Sequence, residues 1–224
     1  MGYYIDLSKI SLAEYVNSLK TGYLPPGRKV LLDDIENQFQ AIKKLGIENV
    51  EELKTALKTK KKVEDFSAKS GISSEYLVIL IREINSSFPK PNRIKDFPDI
   101  SSDVIQKLES IGIKHSLHLY ERIRTPSERN RLISETGINS ESILKLTKLT
   151  DLSRVRWVNH TFAYMLYEAG FKTVKELADA DAVELHKAIK DLNNERRFFK
   201  GNIGLNDIRI CIHAAREVPQ DIQY

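Results

Sequence analysis

The sequence predicts an all-α protein built from short helices, and three observations carry that prediction. Apolar residues recur three and four apart, as at Ile35, Phe39, Ile42 and Leu45, which marks one face of a helix. No convincing alternation of apolar and polar residues, the mark of a strand, occurs along the chain. Glycines return at a fixed interval: Gly46 and Gly112 lie 66 residues apart, as do Gly71 and Gly137. In register, GISSEYLVIL from Gly71 and GINSESILKL from Gly137 agree at five of ten positions, where unrelated segments agree at about one. The chain is internally duplicated.

Each element follows from a local signal. Ser11-Leu12-Ala13-Glu14 is a capping box, and Tyr15, Val16 and Leu19 behind it give a short N-terminal helix its apolar face. Tyr23-Leu24-Pro25-Pro26-Gly27 breaks that helix. The next helical face runs through Leu45 and stops at Gly46, since a glycine closes a helix in the left-handed conformation at little cost. A third copy of this step sits at Gly170, 58 residues beyond Gly112. Ile42, Leu108 and Leu166 lie four residues before the three glycines, and Leu53, Leu119 and Leu177 seven residues after. Asn49 with Glu52, and Thr173 with Glu176, cap the helices that follow. His115 and His118 hold those places in the middle copy, so Ser116 is the expected cap there.

Further helices are predicted over 75–84, 104–111, 140–147 and 208–218. Pro89, Pro91 and Pro98 mark a linker between Phe88 and Asp99. The predicted division is an N-terminal helix and turn over 1–29, then units over 30–88, 89–150 and 151–224, the last two packing together.

Composition narrows the function. Of 224 residues, 41% are hydrophobic and 29% charged, a globular balance. The longest apolar run, Tyr76 to Ile81, is far below the roughly 20 residues of a membrane span. The first residues carry Asp6 and show no secretory pattern, and Asp6 stands where a myristoylation motif at Gly2 needs Ser or Thr. One cysteine, Cys211, makes no internal disulfide, so a cytoplasmic setting is expected. No phosphate-binding loop, zinc-protease or nucleophile-elbow motif occurs, which points away from an enzyme. His115, His118 and Glu121 lack a fourth ligand, and Cys211 with His213 lacks an oxyanion pocket, so no metal, cofactor or small-molecule substrate is inferred.

The stretch from Leu152 to Leu177, LSRVRWVNHTFAYMLYEAGFKTVKEL, resembles helix-hairpin-helix modules of the SAM-like helical kind. It is more similar to the bacterial helix-hairpin-helix-like family catalogued as domain of unknown function 4332. Leu152, Arg154, Val155, Val158, Ala163, Leu166, Ala169, Gly170, Thr173, Val174 and Leu177 carry the likeness, which extends to Val218. The resemblance implies tandem helix-hairpin-helix-like units. It departs at Trp157 and Asn159, which stand where DNA-binding hairpins carry glycines that let backbone N–H groups reach a phosphate. Counting back by the repeat spacing puts Asp99 and Ser101, then Asp33 and Ile35, at the same places.

Two partner classes follow. A DNA or RNA backbone would be met by Arg154, Arg156, Asn159, His160 and Thr161 at the third hairpin, with Arg196, Arg197 and Lys200 in the following turn. Arg122, Arg124, Arg129 and Arg131 would extend that stripe. Lys58, Lys60, Lys61 and Lys62 are expected at a helix end, where cations offset the negative dipole terminus. The alternative is a protein partner docked on Trp157.

Overall fold

The computed structural model describes residues 2–224, which form two compact units. The first, Ile5–Phe88, holds α1 (Leu12–Thr21), α2 (Ile35–Lys44), α3 (Val50–Ala56), α4 (Lys60–Ser70) and α5 (Ser74–Ser86). The second joins the residues up to Tyr4 to Pro89–Tyr224. It holds α6 (Ser102–Ser110), α7 (Ser116–Tyr120), α8 (Pro126–Thr136), α9 (Ser140–Leu152), α10 (His160–Glu168), α11 (Val174–Ala178), α12 (Ala182–Arg196) and α13 (Leu205–Arg216). Short 3-10 turns precede α1, α2 and α6, and the fold is all-α. No helix of the described residues is long and apolar enough to cross a membrane.

A four-helix pattern recurs three times: α2–α5 in the first unit, then α6–α9 and α10–α13 in the second. The apolar positions that the sequence sets in register are core positions in all three. Ile42, Leu108 and Leu166 are fully buried, and so are Leu53, Leu119 and Leu177. Gly46, Gly112 and Gly170 all take positive φ, which turns the first helix of each pattern into the second. The third helix ends on Gly71 in the first pattern and Gly137 in the second, both left-handed. Arg197 occupies that position in the third, at φ 52°.

The helix starts show which local signals decided the fold. Asn49 and Thr173 cap α3 and α11 through side-chain oxygens that accept from Glu52 N and Glu176 N. α7 is capped differently from the expectation. His115, not Ser116, is its cap: Nδ1 accepts from His118 N at 3.3 Å, and the two imidazoles stack 3.6 Å apart. Ser116 is instead fully buried, with its hydroxyl bonded to Tyr3 Oη and accepting from Asn92 N, because the chain before α6 crosses over it. Lys60, Lys61 and Lys62 begin α4 rather than ending a helix, so the dipole argument fails for them locally. Lys62 Nζ reaches back to the Thr55 carbonyl near the end of α3, which is where its charge is used.

The acceptor for the first amide of each second helix also recurs. Val50 N donates to Ile10 O and Ser116 N to Asn92 O, both on extended backbone running alongside the cap. In the third pattern Val174 N donates to a side chain, Asp151 Oδ2, at 3.1 Å. Asp151 lies in the last turn of α9, so a division at 150/151 falls inside a helix.

Candidate interaction site at the third turn

α9 runs into a tight coil rather than an open loop. Arg154 N donates to Asp151 O, Val155 N to Leu152 O and Val158 N to Val155 O. Val155 and Val158 both point into the core, and the chain must kink between them to deliver both. Trp157 takes that kink at φ 68°, a left-handed conformation that costs a bulky side chain about 1–2 kcal/mol relative to glycine. Asp99 and Asp34 stand at the corresponding kinks before α6 and α2, at φ 55° and 50°. Asp99 is where repeat spacing puts it, Asp34 is one residue beyond the Asp33 that spacing alone indicates, and Asn159 is not left-handed. It is extended and caps α10, its Oδ1 accepting from Phe162 N at 2.9 Å.

Trp157 remains 43% exposed although its neighbours are buried. The Arg156 guanidinium lies 4.4 Å from the indole centroid, a cation–π contact, and its Nε is 3.6 Å from Glu217 Oε2. The indole is thus held on a strained backbone with a charged support on one face.

Arg154 is not a surface residue, contrary to the expectation that it faces a phosphate backbone. Its side chain is fully buried. Nε donates to Tyr3 O, Nη1 to Asp151 Oδ1 at 2.9 Å, and Nη2 to both Pro219 O and Asp221 Oδ1. The guanidinium also lies over Tyr120, 4.8 Å from the ring centroid. Asp151 receives Val174 N and the Tyr224 hydroxyl on its other oxygen. Burial pushes the Asp151 carboxyl up, and the adjacent Arg154 charge pulls it back. The physical reason for the inward Arg154 is the coil itself: with Val155 buried, the preceding side chain meets the carboxylates rather than solvent.

The other predicted residues are not gathered into one stripe. Arg156 is nearly buried beneath Trp157, so it does not present a guanidinium to a phosphate. His160 N donates to Asn92 Oδ1 at 3.0 Å, so the first amide of α10 already has a protein acceptor. Thr161 is half-buried. Arg196 pairs with Glu168 at 3.1 Å, at the far end of α10. Eight residues of helix separate His160 from Glu168, about 12 Å. Arg197 and Lys200 are exposed on the α12–α13 connection, which Asn193 pins by two hydrogen bonds to the Phe199 backbone. Three of the four middle-copy cations are likewise engaged, Arg122 with Glu135, Arg124 with Glu128, and Arg129 with the Ile123 carbonyl, while Arg131 is exposed on α8.

Sequence reasoning missed Tyr3, Asn92, Asp221 and Tyr224, which lie 67 or more residues from the residues they bond at this turn. Asp151 and Arg154, three apart, were the one local signal of a buried pair.

Comparison with known proteins identifies a family. Residues 98–218 match the family model described as Domain of unknown function (DUF4332). That is more than half of the chain, spanning the second and third four-helix patterns. No curated protein and no solved structure matches.

Proposed function

This chain belongs to the family of domain of unknown function 4332, and we propose that it is a non-catalytic binding module that docks a protein partner through the third turn, with Trp157 as the anchor. The observation that carries this reading is an exposed tryptophan held left-handed, with Arg156 stacked on it. Tryptophan and arginine dominate protein-interface hot spots, and a rigid indole loses little freedom on docking. Conformational strain of this kind concentrates where structure serves binding. Phosphate capture at this turn is the weaker use, because the first amide of α10 is already accepted by Asn92 and Arg154 is consumed inside. A cytoplasmic setting, with one buried cysteine, suits such a module.

The test places a photo-crosslinking amino acid at position 157 in the full chain, inside the cells that make it. Adducts removed by protease and untouched by nuclease support the reading. Adducts that nuclease removes refute it.

A nucleic-acid reading rests on a different feature, Arg197 and Lys200 on the braced α12–α13 connection. Two phosphate contacts there would give duplex binding a log–log salt slope of about −2. Anisotropy with single-stranded, duplex and branched DNA reads it directly. A slope unchanged by Arg197→Glu with Lys200→Glu removes this surface from consideration.

A further inference from the structure

The connection between α12 and α13 is irregular but braced. Asn193, near the end of α12, holds it three ways. Its carbonyl accepts from Arg197 N at 2.8 Å, and its side chain accepts from Phe199 N at 2.8 Å and donates to Phe199 O at 2.9 Å. Of the two adjacent phenylalanines only one is spent on packing. Phe198 lies edge-on to Tyr164, with ring centroids 5.5 Å apart, against the core of the second unit. Phe199 is left 50% exposed. Its ring rests against the backbone of Gly201, where a Cβ would come within 2.5 Å of it, so a side chain there would push the ring out of place.

Charge beside this ring differs from charge elsewhere in the unit. Arg122, Arg124 and Arg196 each pair with a carboxylate. Among the described residues Arg197 and Lys200, both exposed, pair with none. They flank Phe199 in the chain, and no more than about 11 Å of extended backbone separates them. Asn194, Gly201 and Asn202 nearby are exposed too, so the ring lacks the apolar rim that keeps water from a protein-interface hot spot. A membrane surface suits the connection no better. One ring is little apolar area for an interfacial anchor, and two cations fall short of the roughly four to eight of a lipid-binding cluster. A flat exposed ring between two unpaired cations does match a base with phosphates on either side of it.

We propose that the α12–α13 connection binds single-stranded nucleic acid, with a base stacked on Phe199 and the adjoining phosphates met by Arg197 and Lys200. This rests on phosphate contact at Arg197 and Lys200, and adds the form of the ligand and the residue that selects it. It is independent of Trp157. A duplex keeps its bases stacked on one another, and exposing one costs a few kcal/mol, whereas a single strand offers a base face at little cost. A ring already fixed by Asn193 and Gly201 loses little freedom when the base arrives. Every base has such a face, so the site takes single strands without reading their sequence.

Fluorescence anisotropy of the full chain tests this with labelled oligothymidylate and oligouridylate, an abasic strand of equal length and charge, and a duplex. The better of the two base-bearing strands binds at least fivefold more tightly than the abasic strand, and more tightly than the duplex. Its log–log salt slope is about −1.4, from two contacts at about −0.7 each. Phe199→Leu removes the advantage over the abasic strand, and Phe199→Trp keeps it. Equal binding of base-bearing and abasic strands by the parent chain overturns the proposal, and needs no variant to fold. Phosphate contact then still stands if Arg197→Glu with Lys200→Glu weakens both. An advantage that survives Phe199→Leu puts the base elsewhere and overturns the proposal. Binding to no strand at low salt overturns it together with phosphate contact. Binding to phosphatidylserine vesicles but to no strand would assign the connection to a membrane surface and overturn it as well.

Discussion

Replacing Arg154 by Met keeps most of the side chain's volume but removes the cation that pairs with both Asp151 and Asp221. Arg154 is fully buried, and both carboxylates are at least nine-tenths buried. Removing one member of such a buried ion pair costs about 3–5 kcal/mol, because a charge is stranded rather than a bond simply lost. Domains are stable by only about 5–15 kcal/mol, so the second unit would lose a large part of its margin. With a urea dependence of about 2 kcal/mol per molar, the midpoint falls by about 1.5–2.5 M. Trp157, the single tryptophan, lies three residues away and reports unfolding of this unit alone. The loss also depends on pH with a fixed sign. Asp151's folded pKa is already raised by burial, and without Arg154 it rises further. A raised carboxyl contributes stability at low pH and loses it as pH rises through the folded value, so the variant's deficit is smaller at pH 5 than at pH 8. A deficit below about 1 kcal/mol, or one independent of pH, would refute the account of Arg154 as a buried keystone.

Further predictions concern the caps and the thiol. Gly137→Ala meets no neighbouring atom and still loses about 1–2 kcal/mol from its left-handed backbone, whereas Arg197→Gly gains up to about 1 kcal/mol at the corresponding position; urea midpoints followed at Trp157 read both. His115's folded pKa is lowered, first by burial and then by the adjacent His118. Its contribution to stability is therefore complete above the ordinary value of 6.5 and is lost as pH falls below it. His115→Asn, which copies the Asn49 cap, removes that part of the acid loss, and parallel pH–stability curves for parent and variant would contradict the assignment. The Cys211 thiol is pushed up to about 12 by burial, so a thiol reagent at pH 8 leaves it unmodified until the second unit unfolds.

The helices were legible because their signals are local. Capping boxes at Ser11 and Thr173, apolar residues three and four apart, and glycines at fixed intervals each act within a turn or two of chain. The register of the duplication went further and placed core residues such as Ile42, Leu108 and Leu166 correctly. The binding residues were less legible. An arginine near a turn reads as a surface cation unless its acceptors are known, and those of Arg154 come from Tyr3, Pro219 and Asp221. Ser116 failed as a cap for the same reason: Tyr3 and Asn92, far away in sequence, claim its hydroxyl. Trp157 shows the opposite case. Its departure from glycine was visible, but its left-handed backbone was not, since sequence gives propensity and not the pull of Val155 and Val158 on either side.

The use of Asp151 as an acceptor explains an inequality in the repeat. After α5 the chain spends Ser87 to Pro91 before Asn92 offers its carbonyl to α7, whereas α9 offers Asp151 from its own last turn to α11. The connecting residues become unnecessary, and the interval shrinks from 66 to 58. α9 thus ends one copy while completing the next, as a shared wall serves two rooms. A gene cut between the second and third copies would deprive one of them of that wall wherever it fell, whereas a cut at Pro89 leaves the wall whole and parts the two copies only from Tyr3 and its neighbours at the start of the chain. In this chain the heritable unit of folding is the fused pair, and a lone third copy is not a module that recombination can move.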